Sequence, residues 1–144
     1  MTTLLASGND WTGLILRLTV GLIIFPHGAQ KLLGWFGGDG FSGTMDYFTG
    51  TVHLPWLLGL LVILLEFFGS LLIVAGLGSR ILGAAMIVLM LGIIFTSHLQ
   101  YGFFMNWSGD KPDEGYEFHL LVIGLCTGLI SNGSGRYSLD GWLF

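Results

Sequence analysis

Residues 57–77 form an almost unbroken apolar run, long enough to cross a bilayer, which takes roughly 20 residues of helix. Glu66 interrupts it near the middle. A carboxylate at that depth costs on the order of 3 kcal/mol even on the most lenient insertion scale. It must be neutral, paired or hydrogen-bonded, and the other polar residues are best read by asking which of them satisfies it. The chain as a whole supports a membrane reading: 53% of its 144 residues are hydrophobic and only 10% are charged, a balance foreign to soluble domains.

Hydropathy divides the chain into four spans, at about 11–33, 54–77, 81–98 and 116–131, within a single domain covering residues 1–144. The expected fold is an all-α, four-transmembrane-helix antiparallel bundle. Ser7, Asn9 and Asp10 are candidate N-caps for the first span, Trp11 suits a membrane interface, and Pro26 is expected to kink the outer third. The N-terminus lacks a basic n-region, so the first span is expected to stay uncleaved. The 76–80 stretch, with Gly76, Gly78 and Ser79, makes a tight turn that forces spans two and three together. Span four is short and carries Glu117 in its first turn; a re-entrant segment is the alternative there.

Two polar connectors separate the spans. Residues 34–54 are glycine-rich and aromatic, without the strand or spacing of a dinucleotide fingerprint. They fit a short helix capped by Ser42 or Thr44, with Phe41, Met45 and Phe48 lying on the membrane surface, or a plain loop; His53 is expected at the interface. Residues 100–115 are acidic and aromatic. Arg17, Arg80 and Arg136 lie toward one side and Lys31 and Lys111 toward the other, so the positive-inside rule places both termini in the cytoplasm. No basic patch points to nucleic acid, and the lone Cys126 fits a packed helix better than a disulfide or cysteine cluster.

On a helical projection Arg17, His27 and Lys31 fall within roughly 80° of one another, along a side that also carries Gly13, Gly21 and Gly28. If facing spans share their mid-depth, Arg17 lies within reach of Glu66, and Arg17–Glu66 is the expected buried ion pair. The alternative has Arg17 snorkelling to the interface and Glu66 protonated, bonded to Ser70 or a carbonyl. At the outer end His27, Lys31, His98 and Glu117 converge as candidates to bind a redox-active head group such as a quinone and to move its protons. Glu117 and His119 stand about 200° apart on a helix, so with Glu117 turned inward His119 is expected to face lipid headgroups. No ligand spacing indicates a metal.

The same residues carry a family resemblance. Arg17-Leu-Thr-Val-Gly, His27-Gly28-Ala-Gln-Lys31, Glu66-Phe-Phe-Gly69-Ser, Gly76-Leu-Gly-Ser-Arg80, His98-Leu-Gln-Tyr-Gly102-Phe-Phe, Tyr116-Glu117 and Gly133-Ser-Gly-Arg-Tyr-Ser-Leu-Asp140 occur in the order seen in the DoxX family of small bacterial membrane proteins. The chain resembles that family from roughly residue 14 to 142. Ser134 stands where the family's tail often has proline, which is expected only to loosen the turn, and His119 is outside the pattern. The resemblance implies four transmembrane helices in the inner (cytoplasmic) membrane. It also implies a link to redox chemistry, since the family takes its name from a subunit of a thiosulfate:quinone oxidoreductase and has relatives associated with oxidative and thiol stress.

The leading expectation is a component of a quinone-linked membrane oxidoreductase system working with redox partner subunits; a homo-oligomer is compatible with it. It requires a cavity among His27, His98 and Glu117. A non-catalytic scaffold or assembly subunit would be a dry, closely packed bundle. A small-solute transporter would need water access to Glu66, and no inverted repeat is evident to support it.

Overall fold

The computed structural model describes residues 8–144, which places the candidate cap Ser7 outside the described residues. Among these residues the structure is helical throughout, without strands. Asp10 caps helix α1, Trp11–Leu33, by accepting the Gly13 N–H at 2.8 Å. The helix runs continuously through Pro26 and stops at Gly34, which takes the left-handed conformation (φ 72°) that glycine adopts without penalty. Helix α2, Gly40–Asp46, continues into a π turn at Tyr47–Thr51. Helix α3 spans Trp56–Ala75 and α4 spans Ser79–Tyr101. Each contains a π turn, Leu65–Gly69 in α3 and Ile94–His98 in α4. Helix α5 is Glu117–Asn132, and the short α6 is Leu139–Leu143. Helices α1, α3 and α4 are long and apolar enough to cross a membrane. At 16 residues, α5 measures roughly 24 Å, short of the ~30 Å hydrocarbon core.

Helix α1 packs against α3 and α5, and α4 packs against α5. Val20 and Ile24 of α1 meet Ile73 of α3, Met86, Leu89 and Met90 of α4, and Val122, Cys126 and Leu129 of α5 in one apolar core. Cys126 is fully buried there as a small apolar side chain.

Close backbone approach sets the register of α1 on α3. Gly21 lies against Ser70 and Val74, and Gly28 against the backbone of Glu66 and Phe67, where any Cβ would collide. This register departs from the equal-depth pairing that the Arg17–Glu66 expectation assumed. It brings Arg17 beside Val74 and Gly76, roughly 14 Å along the axis from Glu66 at 1.5 Å per residue. Counted outward from Gly28, the end of α1 comes level with about Val62. The first turns of α3 therefore rise roughly 9 Å beyond it.

The glycine-rich connector fills that step. Met45 and Phe48 are buried against Ile63 and Gly59 of α3, while Phe41 remains partly exposed at the rim. The connector is thus neither a plain loop nor a helix lying flat on a membrane surface. Its apolar face found a groove that the short α1 leaves open.

The two terminal segments meet at the opposite end, where Arg136 N–H donates to the Asp10 carbonyl at 3.0 Å. The Arg17 guanidinium, almost fully buried, donates to the carbonyls of Val74, Arg136 (2.9 Å) and Tyr137 (2.8 Å). Asp140 accepts the Gly78 N–H (2.8 Å), the Ser79 N–H (3.3 Å) and the Ser134 hydroxyl (2.5 Å). Ser134 also lies 2.7 Å from the Ser79 hydroxyl and is fully buried. Serine at 134 therefore ties the tail to the α3–α4 turn, in contrast to the looser turn expected from the sequence.

Candidate functional site at the connector end

With Arg17 engaged at the other end, Glu66 is satisfied by Lys31. Their N–O separation is 2.5 Å, the Glu66 side chain is 3% exposed and that of Lys31 is 25% exposed. Helix periodicity explains the exchange of partners. Lys31 follows Gly28 by three residues and so lies on the same face of α1, next to the point where α3 comes closest. Glu66 sits in the π turn, a feature that recurs at functional sites because it interrupts the regular ladder. The partner was legible as a member of the basic stripe on α1, but the glycine-determined offset between the helices was not.

Lys31 also faces a cavity of about 310 Å³. Gln30 and Lys31 line it from α1, Gly37, Gly38 and Asp39 from the connector, and Thr44, Tyr47 and Phe48 from α2 and its π turn. Its wall combines an ammonium, an amide, two hydroxyl side chains, a carboxylate and two aromatic rings. Thr44, Tyr47 and Asp39 escape a search for sites on spans because they lie in the connector.

The other polar candidates sit apart from this cavity. His98, at the end of the π turn in α4, places Nδ1 2.9 Å from the Glu114 carbonyl. The carboxylate of Glu117 accepts the Met105 N–H at 3.2 Å, so it braces the second connector. His27 is exposed on α1, its ring 5.9 Å from that of Phe118. His119 is only 8% exposed, and its ring lies 4.7 Å from that of His98. This reverses the expectation that Glu117 faces inward and His119 faces headgroups.

The start of α5 accounts for the difference. Tyr116 N–H donates to the Gly102 carbonyl and Glu117 N–H to the Phe103 carbonyl. Gly115 presses against the carbonyls of Gly102, Phe103 and Phe104, where a Cβ would collide. Pinned in this way, the first turn directs Glu117 back along the connector and His119 into the packed side. Among the described residues, no three His, Cys, Asp or Glu side chains gather closely enough to hold a metal ion.

Residues 12–99 match the family model described as DoxX. The chain belongs to the DoxX family. The matched stretch contains Arg17, His27, Lys31, Glu66 and His98 and ends before Glu117 and His119. This DoxX chain is also 30% identical over 131 residues to "Putative oxidoreductase CatD" of Bacillus subtilis (strain 168), an alignment covering 91% of this chain and 86% of that protein. No solved structure matches it. Family membership and three apolar spans make it a multi-pass membrane protein. Large apolar side chains, among them Ile15, Leu22, Val88 and Phe95, are exposed on its long helices, as contact with a bilayer requires.

Proposed function

We propose that this DoxX protein is a quinone-binding component of an inner-membrane oxidoreductase system, and that the quinone head group docks in the cavity at Lys31. In this reading the whole chain is one domain, an antiparallel bundle of four transmembrane helices with α5 as the shortest. The termini are cytoplasmic and the cavity lies toward the outer face, as the distribution of arginine and lysine suggests. The observation that carries the proposal is the juxtaposition of a nearly buried Lys31–Glu66 pair with a polar, aromatic-walled cavity. Its volume falls at the small end of the range for small-molecule sites, about 300–1,000 Å³, and suits a single substituted ring. The name of the Bacillus subtilis relative points toward oxidoreductase chemistry.

Chemically, a quinone carbonyl would accept hydrogen bonds from the Lys31 ammonium and the Gln30 amide, with Tyr47 and Phe48 against the ring. Reduction to the quinol takes up two electrons and two protons. The electrons must come from a partner subunit carrying a redox group. The Lys31–Glu66 pair would donate one proton to a reduced oxygen, be reprotonated from water, and so supply the second proton in turn.

Fluorescence titration of the purified protein with a short-chain quinone tests the assignment. Saturable binding is expected, weakened at least tenfold by Lys31→Ala and changed less than twofold by His98→Ala. Loss of binding in His98→Ala alone would return the head group to the histidines. Absence of saturable binding in the wild type would favour a scaffold.

A further inference from the structure

At the terminal end of the bundle, helix α6 is pinned by its polar side and bare on the other. Asp140 is buried against the α3–α4 turn, and its N–H donates to the Gly76 carbonyl at 2.9 Å. The Ser138 hydroxyl caps the helix by accepting the Gly141 N–H at 3.1 Å. Trp142, Leu143 and Phe144 are left exposed, Trp142 by 82%, although none of them lies on a long apolar helix.

Two further exposed rings stand beside α6. Trp11 is the first residue of α1, the level at which a span meets the membrane–water interface. Tyr137 is held at φ 53°, a left-handed conformation rare for an aromatic residue. Its carbonyl accepts from Arg17 while its ring is 80% exposed. The two rings meet edge to face at 6.3 Å. Arg136 lies against both, its guanidinium carbon 4.8 Å from the Trp11 ring centre and 6.0 Å from that of Tyr137. Its Nε donates to the Asn9 side-chain oxygen at 3.0 Å. Among the described residues its two terminal nitrogens meet no acceptor.

Charge decides what approaches this patch. Arg17 and Arg80 direct their donors at main-chain carbonyls. Asp10 and Asp140 both accept backbone N–H groups within the fold. Arg136 is thus the side-chain charge that this end presents outward. The opposite end sets Asp39, Asp46, Asp110, Asp113, Glu114 and Glu117 against Lys31 and Lys111, a balance that repels anions.

We propose that Arg136, framed by Trp11 and Tyr137, binds the phosphate of an anionic phospholipid, with α6 lying in the headgroup layer beside it. The guanidinium fork can donate two parallel N–H groups to phosphate oxygens. Indole and phenol rings, with apolar bodies and polar tips, are favoured at the level of the headgroups. The exposed face of α6 selects a lipid over free phosphate, because Trp142, Leu143 and Phe144 gain only from an apolar layer. Neither the quinone reading nor the orientation of the chain enters this argument.

The full chain in neutral detergent micelles is titrated with dioleoyl phosphatidylglycerol and, separately, dioleoyl phosphatidylcholine, and bound lipids are counted by native mass spectrometry. One phosphatidylglycerol is expected to bind about fivefold more tightly, the factor given by about 1 kcal/mol per basic residue at an anionic surface. Arg136→Gln should abolish that preference, and Lys111→Gln, at the acidic end, should leave it unchanged. Equal binding of the two lipids by the wild type, or an unchanged preference in Arg136→Gln, would overturn the site. Loss of the preference in millimolar inorganic phosphate would make it a soluble-anion site instead. A lipid-free mass of two chains would assign the patch to a second copy and equally overturn the proposal. Should Arg136→Gln fail to fold, Trp11→Leu decides in its place: at least a twofold loss of preference is expected, and no loss refutes the site.

Discussion

Removing one partner of the Lys31–Glu66 pair should destabilise the protein far more than removing both. Lys31→Met leaves a carboxylate at 2% exposure without its hydrogen-bond partner. Breaking a buried pair from one side costs about 3–5 kcal/mol. Glu66→Leu leaves the ammonium of Lys31, which is already one-quarter exposed and can turn toward the cavity, so its cost is lower, about 1–2 kcal/mol. The double variant removes both charges and keeps most of the volume, and such replacements are roughly neutral. The coupling energy should therefore be about 4–7 kcal/mol. In thermal terms, Lys31→Met alone should lower Tm by about 15 °C for a chain of this length. Reversible unfolding in mixed micelles, followed by circular dichroism, gives all four corners of the cycle. A parallel cycle with Arg17→Met and Glu66→Leu should be additive within about 0.5 kcal/mol, because register separates those residues. Additivity in the Lys31–Glu66 cycle, or strong coupling in the Arg17–Glu66 cycle, would refute the register and the pairing together.

The other consequences concern packing and the closed terminal end. Gly28→Ala drives a methyl group into the backbone of Glu66 and Phe67 and should cost about 1–3 kcal/mol or more. Gly124→Ala, where the same methyl group meets open space, should stabilise α5 by up to about 1 kcal/mol; both are read by the same unfolding assay. Arg17→Lys cannot reproduce the forked contacts to Val74, Arg136 and Tyr137 and should cost about 3 kcal/mol, with faster proteolysis of the tail as a second readout. Ser134→Ala removes the hydroxyl that donates to Asp140 and should cost about 1–3 kcal/mol, whereas a merely loosened turn would leave stability unchanged.

These experiments bear on what a sequence of this type makes legible. Helix boundaries and membrane character follow from local pattern, so α1 begins after Asp10 and α3 and α4 are divided at Gly76–Gly78. The stripe of small and basic residues on α1 also marked the face that packs. Periodicity does not carry the offset between two helices. Gly21 and Gly28 were visible, but only their seating on Ser70, Val74, Glu66 and Phe67 shows that α1 ends below the first turns of α3. That single offset moves Glu66 from Arg17 to Lys31, opens the step that Met45 and Phe48 fill, and leaves the cavity beside the ion pair. The inversion of Glu117 and His119 has a different origin. A helical wheel fixes the angle between two side chains but not the rotation of the helix, and here the rotation is set by backbone bonds from a connector that reads as loop. In both cases the deciding contacts are made by glycine and main chain, whose chemistry is identical along the chain. Side-chain pattern therefore identifies the polar groups that must be satisfied, and backbone approach decides which of them satisfy one another.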